Sequence, residues 1–208
     1  MSDSAVFCRT AVKEDLNRVV EIHIAAFPGF FLTFLGPSFL RLMYQSFFQN
    51  HKGIFVVAGS NEVINGFAVG VMASAGKDWK LALKWMPQLL FALIIPVMRN
   101  PLRVLKRLFT QVFSKAEPYS VPEKSAVLRS IGILPGSQGS GLSGVLIKNF
   151  EATAKKKNAD YVALTTDAAD NERAIGFYKK HGYVIQQSFK QDNARSMLML
   201  TKKLEVNF

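Results

Sequence analysis

At 208 residues the chain fits one domain of ordinary size, or one domain carrying a sizeable insertion. Apolar residues make up 49% of it, aromatic residues 12% and charged residues 20%, a composition that excludes a disordered or low-complexity chain. The single cysteine, Cys8, excludes an intramolecular disulfide, a zinc finger and a CxxC redox pair, while a formal charge of +11 calls for an anionic partner without choosing among nucleic acid, a lipid surface and a phosphorylated small molecule.

The opening residues MSDSAVFCRTAVKED show no basic patch followed by an apolar run, so a secretory signal is not expected. The default is a cytoplasmic location, with room for peripheral contact at the inner membrane surface. A strand is predicted around Ala5 to Arg9, with Cys8 as a small buried apolar residue in it. A helix capped by Thr10 should follow, with Glu14 and Asp15 in its first turn and Leu16, Val19, Val20, His23 and Phe27 recurring at helical spacing. Pro28 and Gly29 end it, and the phenylalanine-rich loop FPGFFLTFLGP leads into a second helix from about Pro37 to Phe48. Two strands come next, GIFVVAG and VINGFAVGVMA, with SNE as the turn between them.

Residues 76–120 differ in kind. They are rich in helix formers, broken by Pro87, Pro96 and Pro101, and read as a helical insertion within a single domain spanning residues 1–208. Eight basic side chains against Asp78 and Glu117 place over half of the chain's positive excess there. Leu81 to Met98 approaches the length of a membrane span, but Lys84 and Gln88 interrupt it. Leu102, Leu105, Leu108, Phe109 and Val112 share one side opposite basic residues, which suits either a helical hairpin capping the core or peripheral contact of 77–117 with an anionic membrane.

The remaining residues read strand, glycine-rich turn, helix, strand, helix, strand, strand: AVLRSIGIL, then GLSGVLIKNFEATAKKK, DYVALTT, NERAIGFYKKH, GYVIQQSF and ARSMLMLTKKL. The informative run is IGILPGSQGSGLSG at 131–144, where a strand ends at a proline and turns through glycines into a helix. Backbone N–H groups at a helix start lack internal partners, and the helix dipole adds positive potential, so such a turn binds a diphosphate without any lysine. A Cβ at Gly139 or Gly141 would hold phosphate oxygens away from those amides. A P-loop is excluded because no Gly-Lys-Ser/Thr ends the turn. Gly139-x-Gly141-x-x-Gly144 also fits the dinucleotide fingerprint, with Asp160 or Asp167 near the place of a ribose-binding acid, and leaves an oxidoreductase as an alternative. Lys155 to Lys157 complement the C-terminal dipole of the signature helix and read as a solvated face, so no nucleic-acid partner is expected.

Ile133-x-Pro135-x-x-Gln138-x-x-Gly141-x-Ser143 resembles the coenzyme A signature of the GNAT superfamily of N-acetyltransferases. Asn171-x-x-Ala174-x-x-Phe177-Tyr178-x-x-x-Gly182-Tyr183 is similar to a second pattern of that superfamily, at the spacing an intervening helix and strand require. The resemblance covers roughly the last eighty residues. Ser143 stands where the signature ends in Gly or Ala, and 76–120 has no counterpart in the minimal fold.

The resemblance implies a mixed α/β, or α+β, fold: a twisted, mostly antiparallel sheet flanked by helices. It implies acetyl-coenzyme A as co-substrate, no metal, and transfer to a primary amine of a small molecule, an amino sugar among the acceptors, by direct attack on the thioester. Amides near Ile131 and Ile133 would bind the pantetheine arm, and Gln138, Gly139, Ser140, Gly141, Leu142, Ser143 and Gly144 would hold the diphosphate. Asn171 would contact the cofactor arm, and Tyr178 would protonate the departing thiolate. The base stays open among His23, Glu123, Asp167 and a water chain, with a hydrogen-bonded core histidine as the other reading of His23. A membrane-surface or acyl-coenzyme A binding protein on the same fold is the non-enzymatic alternative, and a homodimer is compatible with the sequence.

Overall fold

The computed structural model describes residues 6–73, 87–102, 119–192 and 195–205. Its strands are β1 (Val6–Thr10), β2 (Gly53–Ser60), β3 (Val63–Met72), β4 (Ser125–Ile133), β5 (Tyr161–Asp167), β6 (Val184–Asp192) and β7 (Arg195–Lys203). The helices are α1 (Leu16–Ala26), α2 (Phe31–Phe34), α3 (Pro37–Phe48), α4 (Ile94–Arg99), α5 (Leu142–Lys156) and α6 (Glu172–Lys180). The strands form one sheet in the order β1-β2-β3-β4-β5-β7-β6, in which β4 and β5 alone are parallel. The expected mixed architecture is therefore present.

Alternation along each strand divides the core between two helical layers. Ile54, Val56 and Ala58 of β2 face α5, where Leu146, Ile147 and Phe150 are fully buried. Phe55 and Val57 face Val19 and Ile22 of α1 and Leu40 and Tyr44 of α3. Cys8 is half-buried against the α5 layer, and burial raises its thiol pKa, in keeping with a packing role. The β2–β3 turn falls at Asn61 and Glu62, both at positive φ (49° and 63°), as a two-residue hairpin with right-handed strand twist demands.

Three local expectations change. Thr10 ends β1 and does not cap a helix; Lys13–Asp15 form a 3-10 turn first, and the Asp15 carboxylate accepts from the Val12 N–H (2.8 Å) and the Arg9 guanidinium. The phenylalanine loop contains α2, one helical turn between Gly29 and Gly36. The signature helix begins at Leu142, not near Gly139, because Gly139 and Gly141 are left-handed.

Of the insertion, residues 87–102 are described and largely helical, with Leu90, Phe91, Ile94, Met98 and Leu102 exposed. The other residues of the hairpin or membrane-surface reading lie outside the described residues. No helix among the described residues is long and apolar enough to cross a membrane.

The feature that makes a site is in β4. Its register with β3 passes from Val69↔Ser130 to Gly70↔Leu128, so Arg129 is an extra residue, a β-bulge. Ala126 and Leu128 face the α5 layer before the bulge, and Ile131 and Ile133 face it afterwards. Pairing with β5 stops at the same place: it runs from Ser125↔Tyr161 to Leu128↔Leu164 and no further. Beyond it β4 continues to Ile133 with its β5-side edge unpaired, and a gap opens between the two parallel strands.

Candidate active site

After β4 the chain makes a 3-10 turn at Pro135–Ser137, then passes Gly139 (φ +83°) and Gly141 (φ +84°) into α5, with Gly141 at the N-cap. Side chains are strained in this left-handed conformation, which is a reason for glycine beyond the steric one read from the sequence. An added Cβ at either position would meet nothing within 4 Å, so the space before them is open. Gly144 and Val145 donate to the Gly141 carbonyl, and the Ser140 hydroxyl donates to the Ser137 carbonyl. The amides of Gly139 to Ser143 have no acceptor among the described residues. They form a row of donors at the positive end of a 15-residue helix.

This row borders a cavity of about 830 Å³ that follows the gap between β4 and β5 from the α5–α6 side to the α1–α3 side. Ile131, Ile133, Gln138, Gly139, Leu142, Ser143, Asn171 and Tyr178 all line it. Ser140 and Gly141 do not, though they belong to the same turn. Gly144 is turned elsewhere: a Cβ there would lie 3.2 Å from His181 Nε2, so its smallness serves the approach of the chain after α6.

Asn171 is the residue before α6, and its side chain reaches back to the end of β5, donating to Thr166 Oγ1 (2.5 Å) and the Asp167 carbonyl (3.2 Å). Its amide oxygen has no partner among the described residues. Tyr178, one helical face further along, packs its ring against Phe177 and Tyr183. Its hydroxyl has no hydrogen-bond partner among the described residues, and burial raises its pKa above the usual phenol value. It is a protonated donor on the cavity wall.

His23 is a hydrogen-bonded core histidine. It is 4% exposed, its Nδ1 is 2.6 Å from the Tyr44 hydroxyl, and Tyr44 also meets the Ser130 hydroxyl on β4. It nevertheless lines the cavity, and its Nε2 is buried without a partner among the described residues. Burial pushes its pKa down to about 4, so the ring is neutral at physiological pH. Asp167 lines the cavity held in a bidentate pair by Arg195, with Nη2 to Oδ2 at 2.6 Å, and Glu123 does not line it. At the far end of α5, the Lys157 ammonium donates to the His51 carbonyl (2.9 Å). Among the described residues no three His, Cys, Asp or Glu side chains are grouped to hold a metal.

Arg129 and Arg173 also line the cavity, with no carboxylate partner among the described residues. Sequence reasoning passed over both. Arg129 matters because of the bulge, which β-propensity does not reveal, whereas Arg173, two residues after Asn171, was within reach of a reading that asked which side chains face the helix start.

The Gly139-x-Gly141-x-x-Gly144 spacing does follow a strand and open a helix, but a dinucleotide fold needs a parallel sheet of alternating units, and only one strand pair here is parallel. Residues 16–183 match the acetyltransferase (GNAT) family. No curated protein matches the chain in sequence. Similar solved structures include an N-acetyltransferase from Staphylococcus aureus Mu50, 17% identical with TM-score 0.62, covering 97% of this chain and 100% of that one. A Salmonella typhimurium protein solved with its cofactor acetyl-CoA is 13% identical with TM-score 0.62, covering 98% and 96%. The PaiA N-acetyltransferase from Thermoplasma acidophilum, in complex with coenzyme A, is 14% identical with TM-score 0.59, covering 96% and 99%. At these identities the likeness is one of fold.

Proposed function

The chain belongs to the acetyltransferase (GNAT) family, and we propose that it takes acetyl-coenzyme A as co-substrate and a primary amine of a small molecule as acceptor. The observation that carries this reading is the continuity of one cavity with two sets of unpaired backbone groups, those of β4 beyond Leu128 and those at the start of α5. A pantetheine arm is a chain of amides and a diphosphate is an anion, so each set suits one part of the same ligand. Acetyl-coenzyme A supplies an acetyl thioester: a C–N bond forms to the amine, the C–S bond breaks, and the proton lost by nitrogen is balanced by the one sulfur gains.

In this reading the amides of Gly139 to Ser143 hold the diphosphate, assisted by the helix dipole and the Arg173 charge. Gln138 and Ser143 flank it, and the backbone at Ile131 and Ile133 aligns the arm as a further strand would. Asn171 is held by Thr166 so that its free amide oxygen can accept from the arm. Tyr178 keeps its proton against neutral pH and delivers it to the sulfur.

Titration calorimetry of the whole chain with coenzyme A, and separately with a nicotinamide dinucleotide, tests the assignment. Heat with the first and none with the second is the expected result. Binding of the dinucleotide alone overturns it.

A further inference from the structure

We propose that the acceptor is a primary amine carried on an apolar or aromatic body with no second positive charge, seated against α1, the chain through α2, and α3. This rests on the acetyl-coenzyme A reading and specifies the other half of the same cavity. The wall there includes Phe27, Phe30, Leu32, Met43 and Phe47 together with His23 and Tyr44. The Tyr44 hydroxyl is already engaged by His23 and Ser130, so the one polar side-chain atom of this wall without a partner among the described residues is His23 Nε2.

Such a wall discriminates by what it fails to supply. A buried hydroxyl or ammonium without a partner is costly, whereas methylene and aryl groups lose nothing by leaving water. A sugar would bury several hydroxyls against carbon, and a polyamine or basic peptide would bring a second cation. The charged side chains lining the cavity lie on β4, β5, α6 and β7, and Arg129 and Arg173, which have no carboxylate partner among the described residues, repel cations. The sole carboxylate among the lining residues, Asp167, is occupied by Arg195. No acid among the described residues is therefore placed to receive a cationic acceptor.

The same wall answers how the amine loses its charge before attack. Low polarity disfavours an ammonium as it disfavours a protonated imidazole, so the surroundings that keep His23 neutral also favour the neutral, nucleophilic amine. A dedicated carboxylate base is then unnecessary, and His23 Nε2 is left as the hydrogen-bond partner for the acceptor nitrogen.

The test is a thiol-release assay with acetyl-coenzyme A and 2-phenylethylamine, glucosamine or spermidine, run beside calorimetry with coenzyme A. The expected result is a kcat/KM for phenylethylamine at least about tenfold above the other two. The Phe30→Asp variant should narrow that ratio by about tenfold, since it places a carboxylate on the wall. Phe30 is 52% exposed, so the fold tolerates the change, and Leu32→Asp is the second variant. Equal or better turnover of glucosamine or spermidine overturns the proposal, as does an unchanged ratio in both folded variants. Coenzyme A binding without acetylation of any of the three amines overturns the acceptor class alone. No binding of coenzyme A overturns the family reading of this site as well.

Discussion

Tyr178 and His23 stand on opposite sides of one cavity, and burial keeps each of them neutral by moving their pKa values in opposite directions. For Tyr178 the outcome is a phenol that stays protonated at neutral pH, which is the state the proposed donation to a departing thiolate requires. Tyr178→Phe removes the proton but retains the ring that packs on Phe177 and Tyr183. It should lower kcat by about a hundredfold with the coenzyme A Kd nearly unchanged, read by steady-state kinetics and calorimetry; an unaltered kcat removes Tyr178 from the mechanism. For His23 the outcome is a stability that depends on pH. Between pH 6.5 and about 4 the unfolded chain binds a proton that the native ring refuses, so stability falls as pH falls through that window. From pH 7 to pH 5 the loss from this group should be about 2 kcal/mol. Urea midpoints of the wild type and His23→Gln at the two pH values should show a smaller drop in the variant.

Two elements make the gap that the cavity follows. Strand β4 carries one residue more than its partner β3 can match, and an unmatched residue bends a strand and interrupts its ladder. Pairing with β5 ends at Leu128, immediately before that residue. Helix α5 then begins where the freed edge of β4 ends, so the unpaired groups of a strand and of a helix N-terminus border one cavity. The turn between them depends on left-handed glycines. Gly139→Val should strain the turn by about 1 to 2 kcal/mol and thrust methyl groups into the open space before the amides. Coenzyme A affinity should fall at least tenfold by calorimetry while far-ultraviolet circular dichroism is preserved. Gly136→Ala is the control, because Gly136 has open space but not a positive φ; equal effects from the two variants would contradict the role given to the turn.

At the scale of the molecule, a seven-stranded sheet sandwiched between two helical layers accounts for the main core clusters of the described residues. Both tryptophans, Trp79 and Trp85, belong to the 76–120 segment, so their fluorescence reports on the insertion while circular dichroism reports on the whole chain. If residues 1–208 form one cooperative domain, the two signals follow a single urea transition with the same midpoint. Separate midpoints would make the insertion an independent unit.

The boundaries of α3, the hairpin turn at Asn61 and Glu62, and the strand and helix order of the last eighty residues were all legible in the chain, because hydrophobic period, proline and glycine act over a few neighbouring residues. The glycine turn was legible for the same reason, as a local pattern at fixed spacing, whereas Tyr178 was singled out only by the family resemblance. What local pattern did not disclose was the bulge at Arg129, the parting of β4 from β5, the tie of Asp167 to Arg195 and the aromatic wall assembled from α1 and α3. Each of these depends on which residue of one element faces which residue of another. That register is set by close packing across the whole sheet, where a single unmatched residue shifts every side chain after it, and so it was decided only when the chain folded.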